Sequence, residues 1–205
     1  MDMPDFSLER GAFEHGASRV AGVDEVGRGP LAGPVTAAAV VLDPDNIPDG
    51  LNDSKKLSAK RREVAFEAIL ASADVCVAHA TVEEIDDINI LRASHLAMQR
   101  AVDGLSHVPD YLLIDGNMIP RGLQIPSAAI VKGDARSVSI AAASIVAKIT
   151  RDGIMMDLAQ QFPGYGWETN AGYPSKSHKA ALLKLGVTPH HRRSFKPVHN
   201  ILYQE

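Results

Sequence analysis

The stretch Val20–Pro30, with the sequence VAGVDEVGRGP, decides the fold and the place of its chemistry. Its first four residues are apolar or small and predict a buried strand, at whose exit Asp24 and Glu25 follow. Two carboxylates at such a position are unfavourable unless another group compensates them. On a regular strand they would point to opposite faces. We therefore predict that the backbone leaves strand geometry at the two acids, which the glycines after them permit.

The turn Gly27-Arg28-Gly29, called the glycine loop below, follows the acids closely. Glycines let backbone N–H groups approach a sugar or a phosphate, and the Arg28 guanidinium adds further donors. Carboxylates beside such a loop indicate metal-dependent chemistry on a phosphodiester. The same pattern taken alone is also typical of an ordinary strand end, so the interpretation depends on the rest of the chain.

Two further apolar segments end in an acid beside a glycine. Residues 111–114 (YLLI) precede Asp115, and residues 128–131 (AAIV) precede a Lys-Gly-Asp sequence that ends at Asp134. A lone Asp-Gly is usually only a turn. Three strands that end in this way place four carboxylates at one sheet edge, and such hard oxygen ligands favour Mg²⁺ or Mn²⁺. We call these four residues the acid cluster: Asp24, Glu25, Asp115 and Asp134.

Together these segments resemble the motifs of the bacterial type 2 ribonucleases H, the ribonuclease HII family. The first motif, AGVDEVGRGPLAGP over residues 21–34, is very specific, and the others follow in the family's order over nearly the whole chain. They are NDSKKLS (52–58), IDGN (114–117), VKGD (131–134), AAASIVAK (141–148), GYP (172–174) and HRRSF (191–195).

The resemblance implies a ribonuclease H-like α/β fold, with a mixed central sheet flanked by helices and a small helical C-terminal region. It implies an endonuclease that hydrolyses the RNA strand of RNA–DNA hybrids. The same enzyme is expected to incise on the 5′ side of single ribonucleotides in duplex DNA, leaving 5′-phosphate products. By resemblance the acid cluster is catalytic and binds two divalent cations, Mn²⁺ or Mg²⁺, so no side-chain nucleophile is needed.

The resemblance also implies substrate contacts. Backbone groups of Gly27, Arg28 and Gly29 are expected to hold the 2′-hydroxyl, the group that separates RNA from DNA. Tyr173 is expected to bond the same hydroxyl and to stack on the neighbouring deoxyribose, because tyrosine joins an apolar ring to a polar tip. Lys55 is expected near a substrate phosphate.

Composition and charge agree with this interpretation without proving it. The chain has 205 residues, 45% of them hydrophobic, and a formal net charge of −4. Its cations include three runs that would form a phosphate-binding groove if folding gathered them around the acid cluster. The runs are Lys55, Lys56, Lys60, Arg61 and Arg62; Lys176 and Lys179; and Arg192, Arg193 and Lys196. None of the eight histidines lies beside an acid motif, and His190-His191 is interpreted as surface or structural.

The chain carries one cysteine, Cys76, which excludes an internal disulfide and a thiolate metal site. The sequence contains no apolar run long enough to span a bilayer and no signal peptide. We therefore expect a cytoplasmic monomer whose partners are RNA–DNA hybrids and DNA duplexes containing ribonucleotides, with no membrane.

We predict three segments along the chain. They are a flexible N-terminal leader (1–18), a ribonuclease H-like catalytic domain (19–162) and a C-terminal region that completes the substrate groove (163–205). Strands are predicted at 20–23, 34–42 and 74–80, with two more that end at Asp115 and Asp134. Helices are predicted from Ser58 to 72, from 81 to 104 and over 139–162, because Ser58 and Thr81 are suitable N-caps.

Two alternatives stay open. The chain would then be another acid-cluster nuclease of the ribonuclease H-like group, or a non-catalytic protein that binds RNA–DNA hybrids. Type 3 ribonucleases H carry an extra N-terminal domain, which the short leader does not supply, and a pure binder would not need all four acids. A metal-dependent phosphatase for small molecules is disfavoured by the basic runs.

Overall fold

Five strands form a single mixed sheet in the computed structural model, which describes residues 3–203. Their spatial order is β3-β2-β1-β4-β5. The central strand β1 pairs antiparallel with β2 and parallel with β4, so the sheet is mixed, as predicted. The strands are Val20–Val26 (β1), Val35–Val41 (β2), Asp74–Ala80 (β3), Tyr111–Asp115 (β4) and Ser127–Ile130 (β5).

The chain forms eight α-helices within residues 3–203, and a 3₁₀ turn at Gly133–Ala135 follows β5. None of these helices combines the length and the apolar character needed to cross a membrane. The helices are Ser7–Glu14 (α1), Ala59–Ser72 (α2), Val82–Ile88 (α3), Ile90–Asp103 (α4), Val138–Gln161 (α5), Trp167–Asn170 (α6), Lys176–Leu185 (α7) and Lys196–Tyr203 (α8).

Strand β1 continues through both acids, so the prediction that the backbone leaves strand geometry there is wrong. Asp24 pairs with Ala38 and Glu25 pairs with Ala37 on β2, and the ladder reaches Val26. On its other side β1 pairs with β4 only as far as Val23. The antiparallel partner therefore holds the strand extended, while the end of β4 leaves the edge beside the acids open for other side chains.

The two faces of the sheet are covered by different helices. Helix α4 packs its buried face, which includes Ala97 and Ala101, on one side, and α5 covers the other with α2 beside it. Helix α5 approaches β1 so closely that a Cβ at Gly22 would lie 2.1 Å from the backbone carbonyl carbon of Ser139. The glycine in the first motif thus allows the close packing that fixes β1, and its acids, against α5.

The structure differs from the predicted flexible leader. Residues 7–14 form α1, and Glu9 is fully buried there. Glu9 Oε1 accepts hydrogen bonds from Ser137 Oγ (2.5 Å) and from Ser139 N (2.9 Å) at the start of α5. A carboxylate is stabilised at a helix N-terminus, which explains the anchoring. The partners lie 128 and 130 residues away, so local sequence gives no sign of it. Residues 1 and 2 lie outside the described residues.

The predicted C-terminal helices are α6, α7 and α8, and they share an apolar cluster with the end of α5. Met155 on α5, Trp167 on α6, Leu182 on α7 and Val198 on α8 are all buried in it. The cluster includes Leu31, which follows the glycine loop. The C-terminal helices therefore pack against the segment that leads out of β1.

Candidate active site

The four members of the acid cluster lie on neighbouring elements. Asp24 and Glu25 lie on β1, Asp115 ends the adjacent strand β4, and Asp134 lies in the 3₁₀ turn that follows β5. Asp24 is 6% exposed and Asp134 is 7% exposed. The strand that was predicted to end at Asp134 is β5, and it ends four residues earlier, at Ile130. Lys132 has a left-handed conformation (φ 55°), which breaks the extended backbone and starts the turn.

Mutual repulsion and burial disturb these carboxyls. Burial raises the pKa of Asp24 well above its usual value, and the negative charges of the other three cluster members raise it further. Burial also raises the pKa of Glu25, although Arg28 opposes this shift. The pKa of Asp134 is raised by burial and then by the charges of Asp53 and Asp115. The structure thus brings the four predicted acids within electrostatic reach of one another.

Backbone hydrogen bonds hold two of the acids in place. Asp115 Oδ1 accepts from the Gly133 amide at 2.7 Å, which links β4 to the turn that carries Asp134. A Cβ at Gly133 would lie 3.2 Å from that same oxygen and 2.5 Å from Ile140 Cδ1, so the position needs glycine. Asp24 Oδ1 accepts from its neighbour's amide, Glu25 N, at 2.7 Å.

Two cations flank the cluster. Arg28 Nη1 lies 3.1 Å from Glu25 Oε1, and Lys55 Nζ lies 3.6 Å from Asp134 Oδ2 with its side chain 78% exposed. Burial lowers the pKa of Lys55, but the surrounding acids, Asp134 first, outweigh it and raise the pKa overall. Lys55 therefore lies near the acids through its ion pair with Asp134, and its exposed side chain can also contact a second anion.

A fifth acid, Asp53, was not among the predicted site residues. Its Oδ1 accepts from the Lys55 amide at 2.9 Å, and its charge contributes to the raised pKa of Asp134. Asp53 lies in the NDSKKLS motif close to Lys55, so the motif was the sequence feature that could have indicated a role for Asp53 in the site. Arg62 stabilises the same motif, because its Nη1 donates to Ser54 O (2.8 Å) and to Leu57 O (2.6 Å).

The donor set fits a hard divalent cation. Carboxylate oxygens are the ligands that Mg²⁺ and Mn²⁺ prefer. The pKa of Asp24 stays well above its usual value, so the two flanking cations do not compensate the negative charge of the cluster. Among residues 3–203, no three His, Cys, Asp or Glu side chains already surround one common point. The residues present fit the ion chemically.

Tyr173 lies directly beside the glycine loop. A Cβ at Gly29 would lie 3.4 Å from Tyr173 Cε1, and the ring is 43% exposed. The loop and the tyrosine segment are joined by a hydrogen bond from Leu31 N to Gly172 O at 2.8 Å. The structure therefore brings together the two elements that were predicted to read the sugar.

Two fully buried arginines hold this arrangement, and the sequence prediction missed both roles. Arg192 donates to the carbonyls of Gly27 (2.6 Å), Arg28 (3.0 Å), Gly33 (3.0 Å) and Pro34 (3.1 Å). It was predicted to belong to a phosphate-binding run, and that prediction is wrong because its guanidinium is enclosed by the loop. Burial, with the charge of Arg151, lowers the pKa of Arg192 to about 9.

Arg151, on α5, joins the loop to the tyrosine segment. It donates to Pro34 O at 2.9 Å, to Ala32 O at 3.1 Å and to Ala171 O at 3.0 Å. Gly27 has a φ of 93°, and a Cβ there would lie 2.1 Å from Arg151 Nε. Burial lowers the pKa of Arg151 to about 10. The first glycine of the loop is thus needed both for its conformation and for the space that Arg151 occupies.

This architecture defines a class of protein. Carboxylates at the ends of the central strands of a mixed five-stranded sheet, beside a glycine loop, characterise a ribonuclease H-like hydrolase. The family model described as Ribonuclease HII matches residues 21–198. A curated ribonuclease HII of Ruegeria sp. (strain TM1040) is 72% identical over 205 residues, which are 100% of this chain and 90% of that protein. The chain belongs to the ribonuclease HII family.

Solved structures agree. The crystal structure of ribonuclease H2 from Pyrococcus horikoshii OT3 matches with a TM-score of 0.77 and 30% identity, covering 91% of this chain and 98% of that one. Bst ribonuclease HIII in complex with Mn²⁺ matches with a TM-score of 0.74 and 19% identity, covering 93% and 71%, and shares the fold. The ribonuclease H-like fold is therefore confirmed.

Family membership also confirms the predicted kind of enzyme. The chain is a metal-dependent endoribonuclease, a hydrolase that cleaves the RNA strand of RNA–DNA hybrids and acts at ribonucleotides in DNA.

Proposed function

We propose that Asp24, Glu25, Asp115 and Asp134 are the catalytic residues of this endoribonuclease and hold its divalent cations, Mg²⁺ or Mn²⁺. The observation that carries the proposal is the buried Asp24 carboxyl, whose pKa is raised first by burial and then by the charges of the three other acids. A crowded group of this kind destabilises the protein unless it binds cations. When bound, two divalent cations stabilise the attacking and leaving oxygens of an in-line displacement.

The chain's own residues position the substrate around this centre. Lys55, largely exposed beside Asp134, is placed to contact a phosphate next to the scissile one. Arg28 pairs with Glu25 and limits the spread of negative charge toward the incoming strand. The nucleophile is water, because the enzyme is a hydrolase.

The glycine loop presents a pair of backbone donors. In a trans peptide the C=O and the following N–H point in opposite directions. Because the carbonyls of Gly27 and Arg28 both point toward Arg192, the N–H groups of Arg28 and Gly29 both point away from it. Among residues 3–203 neither N–H has an acceptor, and both residues are exposed. This pair of free donors supports the proposal that the loop binds the 2′-hydroxyl and the phosphate beside it.

Tyr173 completes the proposed reading of the sugar. Its exposed ring lies beside Gly29, so a sugar held by the loop would meet the ring and its hydroxyl together. The whole site comes from one chain, which supports action as a monomer. We place that action in the cytoplasm, where a bacterium's RNA–DNA hybrids are found.

Replacement of Tyr173 by Ala is expected to reduce cleavage of a duplex with one ribonucleotide about tenfold more than cleavage of a long RNA–DNA hybrid. A single junction must be found through one hydroxyl and the next sugar, whereas every position of a hybrid offers a hydroxyl. Loss of a stacked ring accounts for about 1–3 kcal/mol. Initial rates on both substrates measure the ratio.

Two variants control that experiment. Tyr173→Phe keeps the ring and removes only the hydroxyl, so it separates stacking from hydrogen bonding. Tyr203→Ala removes another exposed tyrosine, on α8, and should leave the ratio unchanged. An equal loss on both substrates in Tyr173→Ala would assign the residue to general positioning instead of junction reading.

A cleavage panel tests the function as a whole. The substrates are an RNA–DNA hybrid, a duplex with one ribonucleotide, an all-DNA duplex and a small phosphomonoester, each with Mg²⁺ and with Mn²⁺. We expect cleavage of the first two only. If the protein binds a hybrid but does not cleave it with either Mg²⁺ or Mn²⁺, the non-catalytic alternative is supported. Turnover of the phosphomonoester would support the phosphatase alternative.

A further inference from the structure

Two histidines lie at the centre of the C-terminal helices. His178 on α7 and His191 are both fully buried, and their Nε2 atoms are 3.1 Å apart. Trp167 and Tyr165 pack around them, with ring centroids 5.0 Å apart. His191 is thus structural, as interpreted from the sequence. A buried pair of imidazoles in direct contact has a defined hydrogen-bond order, which the surrounding groups determine.

The position of the hydrogen on each ring follows from two neighbouring N–H groups that can only donate, the Thr188 amide and the Trp167 indole. The backbone N of Thr188 donates to His191 Nδ1 at 3.0 Å, so the neutral His191 ring carries its hydrogen on Nε2. Trp167 Nε1 donates to His178 Nε2 at 3.0 Å, so His178 carries its hydrogen on Nδ1. His191 Nε2–H then points at His178 Nε2, whose single lone pair is shared between this N–H and that of Trp167.

The hydrogen bond from His178 Nδ1 reaches Tyr173, the residue proposed to read the sugar. His178 Nδ1 lies 2.9 Å from the carbonyl oxygen of Tyr173 and donates to it. The same oxygen accepts from Ser175 N at 2.8 Å, and Tyr173 N donates to Asn170 O at 2.8 Å. The peptide that carries the Tyr173 ring is therefore held from the protein interior, while the ring itself stays exposed.

We propose that His178 is a positioning residue for ribonucleotide recognition: its Nδ1–H, ordered by His191 and Trp167, sets the Tyr173 peptide so that the ring lies beside Gly29. The proposal rests on the proposed role of Tyr173 and extends it to residues that do not touch substrate. We call the four residues His178, His191, Trp167 and Thr188 the relay.

Burial keeps both rings of the relay neutral. Burial lowers the pKa of His191 to about 3, with His178 and His190 contributing, and burial lowers the pKa of His178. Arg192, next in the chain, is cationic, and its guanidinium points toward the glycine loop. Tyr165 Oη donates to Gly186 O at 2.9 Å and brings no charge. The relay therefore holds one hydrogen-bond order across the neutral pH range.

Two substitutions at one position separate the positioning role from simple packing. In His178→Asn the side-chain NH₂ takes the place of Nδ1–H and still donates to Tyr173 O. In His178→Gln the amide lies near the position of Nε2 and the bond to Tyr173 O is lost. Both variants lose the imidazole, so both should unfold at a lower temperature by a similar amount.

The readout is the ratio of kcat/KM on a duplex with one ribonucleotide to kcat/KM on a long hybrid. His178→Gln should lower this ratio about 3- to 10-fold, as expected for one neutral hydrogen bond. His178→Asn should stay within about twofold of the parent ratio. Equal ratios in the two variants, or a parental ratio in His178→Gln, would overturn the proposal. If Tyr173→Ala leaves the ratio unchanged, the role of Tyr173 itself fails first.

A measurement on the unmodified protein covers the case in which neither variant folds. The ¹⁵N chemical shifts of the imidazole nitrogens report which one carries hydrogen. We expect His178 to be protonated at Nδ1 and His191 at Nε2 from pH 6 to 8. Protonation of His178 at Nε2 would remove the donor to Tyr173 and contradict the relay.

Discussion

Replacement of Asp24 by Asn is expected to abolish cleavage, lowering turnover at least about 1,000-fold, which corresponds to roughly 4 kcal/mol of transition-state stabilisation. Asparagine keeps the shape of the side chain, and its Oδ1 can still accept from Glu25 N. It removes the negative charge that holds a divalent cation. Turnover on an RNA–DNA hybrid with Mg²⁺ and with Mn²⁺ measures the loss.

The same substitution should make the cation-free protein more stable. Burial and the neighbouring acids raise the pKa of Asp24 above its usual 3.8, so the folded state disfavours the ionised form. The penalty is absent below the unfolded pKa and is fully present above the folded one. We expect Asp24→Asn to unfold about 2–4 °C higher for each kcal/mol of relieved repulsion, in chelator at pH 7. This advantage should narrow as the pH is lowered toward 4.

Asp43 provides the matched control. It is exposed, and its Oδ1 accepts from a nearby amide, Asp45 N, at 3.0 Å, so Asp43→Asn repeats the chemistry away from the cluster. It should leave both turnover and unfolding temperature close to the parent. Mn²⁺ should raise the unfolding temperature of the parent and of the control more than that of Asp24→Asn. Near-normal turnover in Asp24→Asn would remove this acid from the catalytic centre.

Replacement of Arg192 by Met is expected to destabilise the protein by about 3–5 kcal/mol, because hydrogen bonds to a charged donor contribute about 1.5–3 kcal/mol each and several are lost together. Methionine fills a similar volume but leaves the carbonyls of Gly27, Arg28 and Gly33 without their donor. Pro34 O loses one of its two guanidinium donors and keeps Arg151. The unfolding temperature should fall on the order of 10 °C. Cleavage should fall as well, because the glycine loop then loses the contacts that orient its N–H groups.

Two neighbouring substitutions sharpen this prediction. Arg193→Met makes the same change at an exposed position next in the chain and should alter the unfolding temperature by less than about 1 °C. Arg192→Lys keeps the charge but lacks the planar fork of donors, so it should fall between the parent and Arg192→Met. An unfolding temperature in Arg192→Met equal to that of Arg193→Met would show that the loop does not depend on the guanidinium.

Much of the site could be predicted because its acids follow apolar strands. The hydrophobic pattern located β1, β4 and β5 closely enough to place three acid motifs at one sheet edge, and the family motifs gave the mixed sheet. The extension of β1 through Asp24 and Glu25 was missed, because two polar residues followed by glycine have the sequence pattern of a turn. The antiparallel pairing of these residues with β2 keeps them in the strand.

The supporting residues could not be predicted for a different reason. Arg192 and Arg193 are identical in type and adjacent, yet only the first is enclosed by the glycine loop. Glu9 in a polar segment gives no local sign that it binds the start of α5. His178 and His191 acquire their order from Trp167 and Thr188. The roles of Arg192 and Glu9 depend on partners more than 100 residues away, and the histidine order depends on how the C-terminal helices pack. Hydrophobic periodicity and turn residues give no information on either.

The most direct test of the central claim is the position and chemistry of a single cut. A duplex with one ribonucleotide, labelled at either end of that strand, is incubated with the enzyme and Mg²⁺ or Mn²⁺. If the glycine loop and Tyr173 hold the 2′-hydroxyl while the acid cluster acts on the adjacent phosphate, the cut lies on the 5′ side of the ribonucleotide. The upstream product then ends in a 3′-hydroxyl, and the downstream product begins with a 5′-phosphate on the ribonucleotide. A 2′,3′-cyclic phosphate would show that the hydroxyl itself attacks, and would contradict hydrolysis at the acid cluster.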